Sequence, residues 1–168
     1  MKSIIRFICA AVAISLAFTS CDKDDNETNG EKTALEGKWV HSERTDYQDG
    51  GYSIQSESFT FNGNKITIEA SVTGVNHGGG KWGYGHKYSG TLTCTESTFT
   101  IKIEKFYSFN NDDNWFDWHE FEEGTEGQNF TFTYQIEDGH SLGVIAPEGI
   151  SLGSGSFMRG EMAWYAKE

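Results

Sequence analysis

The sequence predicts an all-β domain, an antiparallel up-and-down meander closing into an eight- to nine-stranded barrel. Three observations carry that prediction. Past residue 34 the chain holds four Leu against twelve Thr, so strong helix formers are scarce where β-branched residues abound. Between Leu35 and Glu168 there are 22 aromatic residues, a class enriched on the half-buried faces of strands. Large apolar residues then recur at every second position, the period that sends alternate side chains to opposite faces of a sheet. Residues 35–168 are long enough to form one domain with a substantial core.

The first strand is predicted over 36–43, around Gly37-Lys38-Trp39. The second, 51–61, carries a parity break, because Tyr52 and Ile54 are even-numbered while Phe59 and Phe61 are odd; a β-bulge near Ser56–Ser58 is predicted. The third, 65–72, sets Ile66, Ile68, Ala70 and Val72 against Lys65, Thr67, Glu69 and Ser71. The fourth, 81–94, has the clearest rhythm: Trp82, Tyr84, His86, Tyr88, Leu92 and Cys94 share one face, with small or polar residues between them. Phe99, Ile101 and Ile103 continue the pattern in 98–109, and Phe130, Phe132, Tyr134 and Ile136 in 129–137. Segments 140–146 and 156–166 complete the set. Asn62-Gly63 and Asp138-Gly139 suit hairpin turns that require positive φ, and Thr95-Glu96-Ser97 is a third short connection. Residues 112–123 are ambiguous: Trp115, Trp118 and Phe121 have helical spacing behind a capping Asn114, but the segment also reads as a ninth strand. Closing the meander would abolish exposed edges; a two-sheet sandwich is the rival architecture.

Lys2 and Arg6 precede an apolar stretch, Phe7 to Phe18, broken only by Ser15. At about twelve residues it is too short to cross a ~30 Å hydrocarbon core and has the length of a signal-peptide core. Thr19 and Ser20 then lead into Cys21, which resembles the lipobox of bacterial lipoproteins. That resemblance implies removal of residues 1–20 and acylation of Cys21, palmitate included. An ordinary secretory signal is the alternative. Residues 21–34 form an acidic tether with no apolar side chain larger than Ala after the Cys, too polar to offset the entropy of ordering it. Lys23-Asp24-Asp25 resembles the signal that takes some Gram-negative lipoproteins to the outer face of the outer membrane. The expected location is thus the bacterial cell envelope, lipid-anchored to the outer membrane and surface-exposed.

The chain carries 13 Lys+Arg against 25 Asp+Glu, a net charge of −12. Losing Lys2 and Arg6 with the signal leaves 11 basic against 25 acidic groups, a net of −14. Phosphates repel such a surface, which argues against nucleic acid as a partner. Anionic lipid heads do likewise, so membrane attachment is expected through acyl chains on Cys21 alone. Cys94 then stands as the last free thiol, without a disulfide partner or a cysteine metal cluster, and reads as a small buried hydrophobe.

Motifs for chemistry fail on context. Gly149-Ile150-Ser151-Leu152-Gly153 matches a nucleophile elbow literally, but no helix pattern and no His follow it. Asp25 to Glu36 mimics an EF-hand loop without flanking helices. Gly78-Gly79-Gly80-Lys81 lacks the spacing and the Ser/Thr of a P-loop. The five His are scattered, without the paired spacing of a zinc site. No enzyme, metal or cofactor is predicted.

Leu35-Glu36-Gly37-Lys38-Trp39 resembles the G-x-W element that opens the barrel of lipocalins and of lipocalin-like bacterial lipoproteins. In that family the Trp closes the barrel floor and a late Arg packs across it; Arg159, within Phe157-Met158-Arg159-Gly160, is the matching residue here. The resemblance implies a lipocalin-like barrel over 35–168. The function expected with it is binding of a small apolar or aromatic molecule, with Tyr84, His86 and Tyr88 lining the interior and Trp115 and Trp118 at the mouth. The alternative is a filled barrel serving as a surface accessory module. It would hold a protein or glycan partner through the acidic, aromatic segment 110–126.

Overall fold

A computed structural model describes residues 34–110, 119–121, 127–148, 150 and 160–168 of the chain. The predicted signal and most of the tether, with Cys21, fall outside the described residues, as do Trp115, Trp118 and Arg159.

The described residues form nine strands: β1 Gly37–Asp46, β2 Tyr52–Asn62, β3 Lys65–Val75, β4 Lys81–Cys94, β5 Thr98–Asn110, β6 His119–Phe121, β7 Asn129–Glu137, β8 Ser141–Ile145 and β9 Ala163–Lys167. All pairings are antiparallel, and eight strands follow one another round a closed ring: β1, β2, β3, β4, β5, β7, β8, β9 and back to β1. The short β6 hangs on the far half of β5, beyond the residues that pair with β7. No helix occurs among the described residues. The fold is therefore the predicted closed antiparallel meander, and the two-sheet sandwich is excluded. Segment 119–121 of the ambiguous stretch is strand. The last described strand occupies 163–167, overlapping the end of the 156–166 expectation, of which 156–159 lie outside the described residues.

Strand pairing transmits the inner face from one strand to the next, since directly opposed residues point the same way. The rows read across the sheet form layers. One row runs Gly37, Phe61, Ile66, Gly90 and Ile103; the next runs Trp39, Phe59, Ile68, Tyr88 and Phe106. Phe99 and Phe132 are opposed in the lowest rows. Trp39, Phe59, Ile68, Phe99, Ile101, Phe132, Leu142 and Val144 are each 0% exposed, so the half of the ring near Trp39 is filled. Phe59 is its hub. Its ring meets Tyr165 edge-on at 4.9 Å, Phe99 at 5.8 Å and Phe132 at 6.0 Å, while Phe99 stacks on Phe132 at 4.8 Å. Such pairs contribute about 0.5–1.5 kcal/mol each beyond the area they bury.

The turn between β7 and β8 carries its sequence signature into geometry. Asp138 and Gly139 take φ of 53° and 69°, and the His140 N–H donates to the Glu137 carbonyl at 3.1 Å, the form of a type I′ turn.

The predicted bulge near Ser56–Ser58 is not formed: β2 pairs without interruption with both β1 and β3. The odd face simply continues from Phe61 and Phe59 to Glu57, Gln55 and Ser53. Tyr52 and Ile54 face outward, where the Arg44 guanidinium lies 4.0 Å from the Tyr52 ring centroid. The irregularity lies instead between β4 and β5. Ser89 opposes Lys105 and Gly90 opposes Ile103, leaving Glu104 as the extra residue. This resets the inner face of β5 from Ile101 and Ile103 to Phe106 and Ser108. Gly90 permits the close approach, because a Cβ there would collide with the Lys102 carbonyl oxygen. Replacing Gly90 by Ala is expected to destabilise the ring by about 2 kcal/mol or more, since backbone must shift to relieve the collision; a urea titration of the variant measures it.

Candidate functional site

The inner face changes character at one row. Above the Trp39 row come His41, Glu57, Ala70, His86 and Ser108, paired strand to strand from β1 to β5. Above that come Glu43, Gln55, Val72 and Tyr84, and then Thr45, Ser53, Gly74 and Trp82. Alternation positions these side chains just as it positions the core, but here the inward residues are polar or aromatic. Most of them are only partly buried: Ser53, Gln55, Val72, Trp82, Tyr84 and His86 are all intermediate in exposure. The upper half is thus lined where the lower half is packed.

Glu57 marks the boundary. It is 2% exposed, and the Tyr165 hydroxyl donates to its Oε2 at 2.7 Å. A buried carboxylate needs such a donor, because desolvation otherwise costs several kcal/mol. Burial, the nearby Glu57 charge and this hydrogen bond together push the Tyr165 phenol far above its ordinary range, so it keeps its proton. His41 stands beside them. Its ring meets Tyr165 edge-on at 5.9 Å, and its Nδ1 lies 2.8 Å from the Trp164 carbonyl. A carbonyl only accepts, so Nδ1 carries a proton and, in the neutral ring, Nε2 is the basic nitrogen.

Across the row, His86 stacks on Phe106 at 5.5 Å and 15°, and Tyr88 tilts against the same ring at 5.0 Å. The His86 Nδ1 is buried and has no hydrogen-bond partner among the described residues. Burial pushes the His86 imidazole below its ordinary value, which favours the neutral ring. Two residues up the same face of β4, Trp82 and Tyr84 stack at 6.4 Å and 25°.

At the opposite end Trp39 is wholly buried and its indole N–H donates to the Leu35 carbonyl at 2.7 Å. Among the described residues the cation over this ring is Lys167, with Nζ 5.0 Å from the centroid, brought there because Lys167 opposes Trp39 in the β1–β9 pairing. Arg159, expected in that position, lies outside the described residues, as do Trp115 and Trp118. Tyr84, His86 and Tyr88 all stand on the inner face. Tyr88, at 5% exposed, belongs to the packed half, while Tyr84 and His86 belong to the lined half. Sequence reasoning missed Glu57, His41, Tyr165 and Phe106. The signal for Glu57 was its odd parity with Phe59 and Phe61, hidden by the bulge inserted at that point. Among the described residues no three His, Cys, Asp or Glu side chains are arranged to hold a metal ion. In comparisons with known proteins, the sequence matches no family model and no curated protein. The protein is an all-β closed ring with one packed and one lined half.

Two outcomes follow for stability. Replacing Tyr165 by Phe leaves the Glu57 carboxylate short of a donor and is expected to cost about 1–3 kcal/mol in denaturant titration. Unfolding releases His86 from burial, so the unfolded chain binds a proton near the ordinary value of 6.5 while the folded chain resists until lower pH. The His86 contribution is therefore intact above that value, declines as pH falls through it, and levels off below the folded-state value. His86→Phe is expected to lose less stability than the parent between about pH 7.5 and about pH 5.5, read as urea midpoints.

Proposed function

We propose that this is a lipid-anchored cell-envelope protein whose ring binds a small apolar or aromatic molecule in its lined half. One observation carries the reading. From the Phe106 edge of the Trp39 row upward the inner face offers aromatic surfaces, His86 on Phe106 and, higher, Trp82 with Tyr84, that remain partly exposed while Trp39, Phe59, Ile68 and Tyr88 are packed. Ligand sites in small barrels have this composition, mostly aromatic and apolar with a few placed polar groups. Acyl chains on Cys21 would hold the protein at the outer membrane, the tether leaving the ring free at the surface. Its acidic charge supplies no attraction to lipid.

Native mass spectrometry of the protein purified from its source envelope tests the binding reading. A reproducible small-molecule adduct is expected, and Tyr84→Ala is expected to weaken its retention about tenfold through loss of one aromatic face. Absence of any adduct across preparations contradicts it. The filled lower half favours a second reading, a surface accessory module that binds a protein or glycan partner through its aromatic and acidic loops. Cys21→Ala is expected to move the protein out of the membrane fraction under either reading.

A further inference from the structure

The imidazole of His86 is the polar anomaly of the inner face. Among the described residues, its Nδ1 is the one side-chain polar atom that is both buried and without a hydrogen-bond partner. Buried polar atoms are matched as a rule, because an unmatched one has lost its water and gained nothing. The residue as a whole nevertheless stays partly exposed, so the ring is open along another edge. Phe106 covers one of its faces at 5.5 Å and 15°, which fixes how the ring stands. Burial favours the neutral imidazole, with one N–H and one bare nitrogen. An N–H sealed without an acceptor is the costlier state to leave unmatched, so Nδ1 is the bare nitrogen and the hydrogen sits on Nε2. Nε2 is not sealed as Nδ1 is, and it therefore offers the lined half a neutral donor. Ser108 directly opposes His86 in the β4–β5 pairing and is also partly exposed. Opposed side chains start about 4.5–5.5 Å apart, so one oxygen atom between them reaches both donors.

We infer that the molecule bound in the lined half is an aromatic compound carrying an uncharged acceptor oxygen, a carbonyl above all, and that the His86 Nε2–H donates to it, with the Ser108 hydroxyl as the second donor. The inference rests on the binding reading above and narrows it. Trp82 and Tyr84, stacked further along the same face of β4, supply surface for the aromatic body while the oxygen sits one row lower, beside His86. A carbonyl suits this place because it only accepts, and a neutral ring held by Phe106 is a donor already aimed. A hydrocarbon of the same outline leaves both donors without an acceptor, so the site discriminates by hydrogen bonding where shape alone does not. With a chain net charge of −12, an uncharged acceptor also reaches the ring more readily than a carboxylate.

The test uses two probes of one shape on the full chain: acetophenone, isotope-labelled at its carbonyl, and α-methylstyrene, in which a methylene replaces the oxygen. Affinities come from tryptophan fluorescence and calorimetry, and the bound ketone is also read by its infrared carbonyl band. Both probes are expected to bind, and His86→Phe is expected to lower the affinity for acetophenone about tenfold relative to α-methylstyrene. The carbonyl band of the bound ketone is expected below its frequency in hydrocarbon solvent, and to move back toward that frequency in His86→Phe. Ser108→Ala is expected to lower the same affinity ratio about threefold; with the band of the parent protein, it provides the reading if His86→Phe does not fold. If the band of the bound ketone stands where it does in hydrocarbon solvent, or the affinity ratio is unchanged in both variants, the inference fails while the binding site stands. If neither probe binds, the lined half is not a binding site and both readings fall together.

Discussion

Strand pairing in this molecule fixes orientation wholesale. From β1 to β4 the register runs without a break, so once Trp39 faces the centre, Phe59, Ile68 and Tyr88 must do so too, and two residues further along the same holds for His41, Glu57, Ala70 and His86. Because β4 also pairs with β5, and β9 with β1, that common face becomes the interior of a ring. The seam between β1 and β9 is short, only Trp39 with Lys167 and Val40 with Ala166, and it is reinforced locally. The Glu168 N–H donates to the Lys38 carbonyl at 2.9 Å, Lys38 and Glu168 form an exposed ion pair at 2.7 Å, and Lys167 covers the Trp39 ring. Exposed ion pairs contribute little alone; burying Trp39 completely contributes more.

The division of the interior follows from what the sequence places on that face. Below the Glu57 row it supplies Phe, Ile, Trp and Leu, which interlock edge to face and leave the ring filled. Above it supplies Glu, Gln, Ser, Tyr and Trp, which do not pack against one another as hydrocarbon does. The Glu57–Tyr165 hydrogen bond sits at the change-over, where a buried polar side chain meets the top of the core. A ring that needed only stability would not place a carboxylate there, since an apolar residue of similar volume is commonly as stable or more so.

Much of this was legible in the sequence, and the failures have physical reasons. The alternation of β4 announced Tyr84, His86 and Tyr88 as one face, because strong period-two contrast admits only one orientation. Asp138-Gly139 announced its turn, because the backbone there needs positive φ at both residues. Glu57 was hidden because polar residues on an inner face look like an outer face, so the change from Phe59 to Glu57 was read as a slip in parity. The real slip, at Glu104, was signalled only by the three-residue step from Ile103 to Phe106. Lys167 over the Trp39 ring was not legible, since its arrival there depends on the long-range register of β9, which local pattern does not encode.

Chemical labelling of thiols distinguishes the two halves directly. Cys94 is native, inward and in the packed half, at 9% exposed. A cysteine placed at Gln55 is inward and in the lined half, one row above Glu57. With a small alkylating reagent under native conditions, followed by peptide mapping, position 55 is predicted to react while Cys94 stays protected until the ring unfolds. Equal protection of the two sites, or ready labelling of Cys94, would contradict a ring that is packed on one side of Glu57 and open on the other.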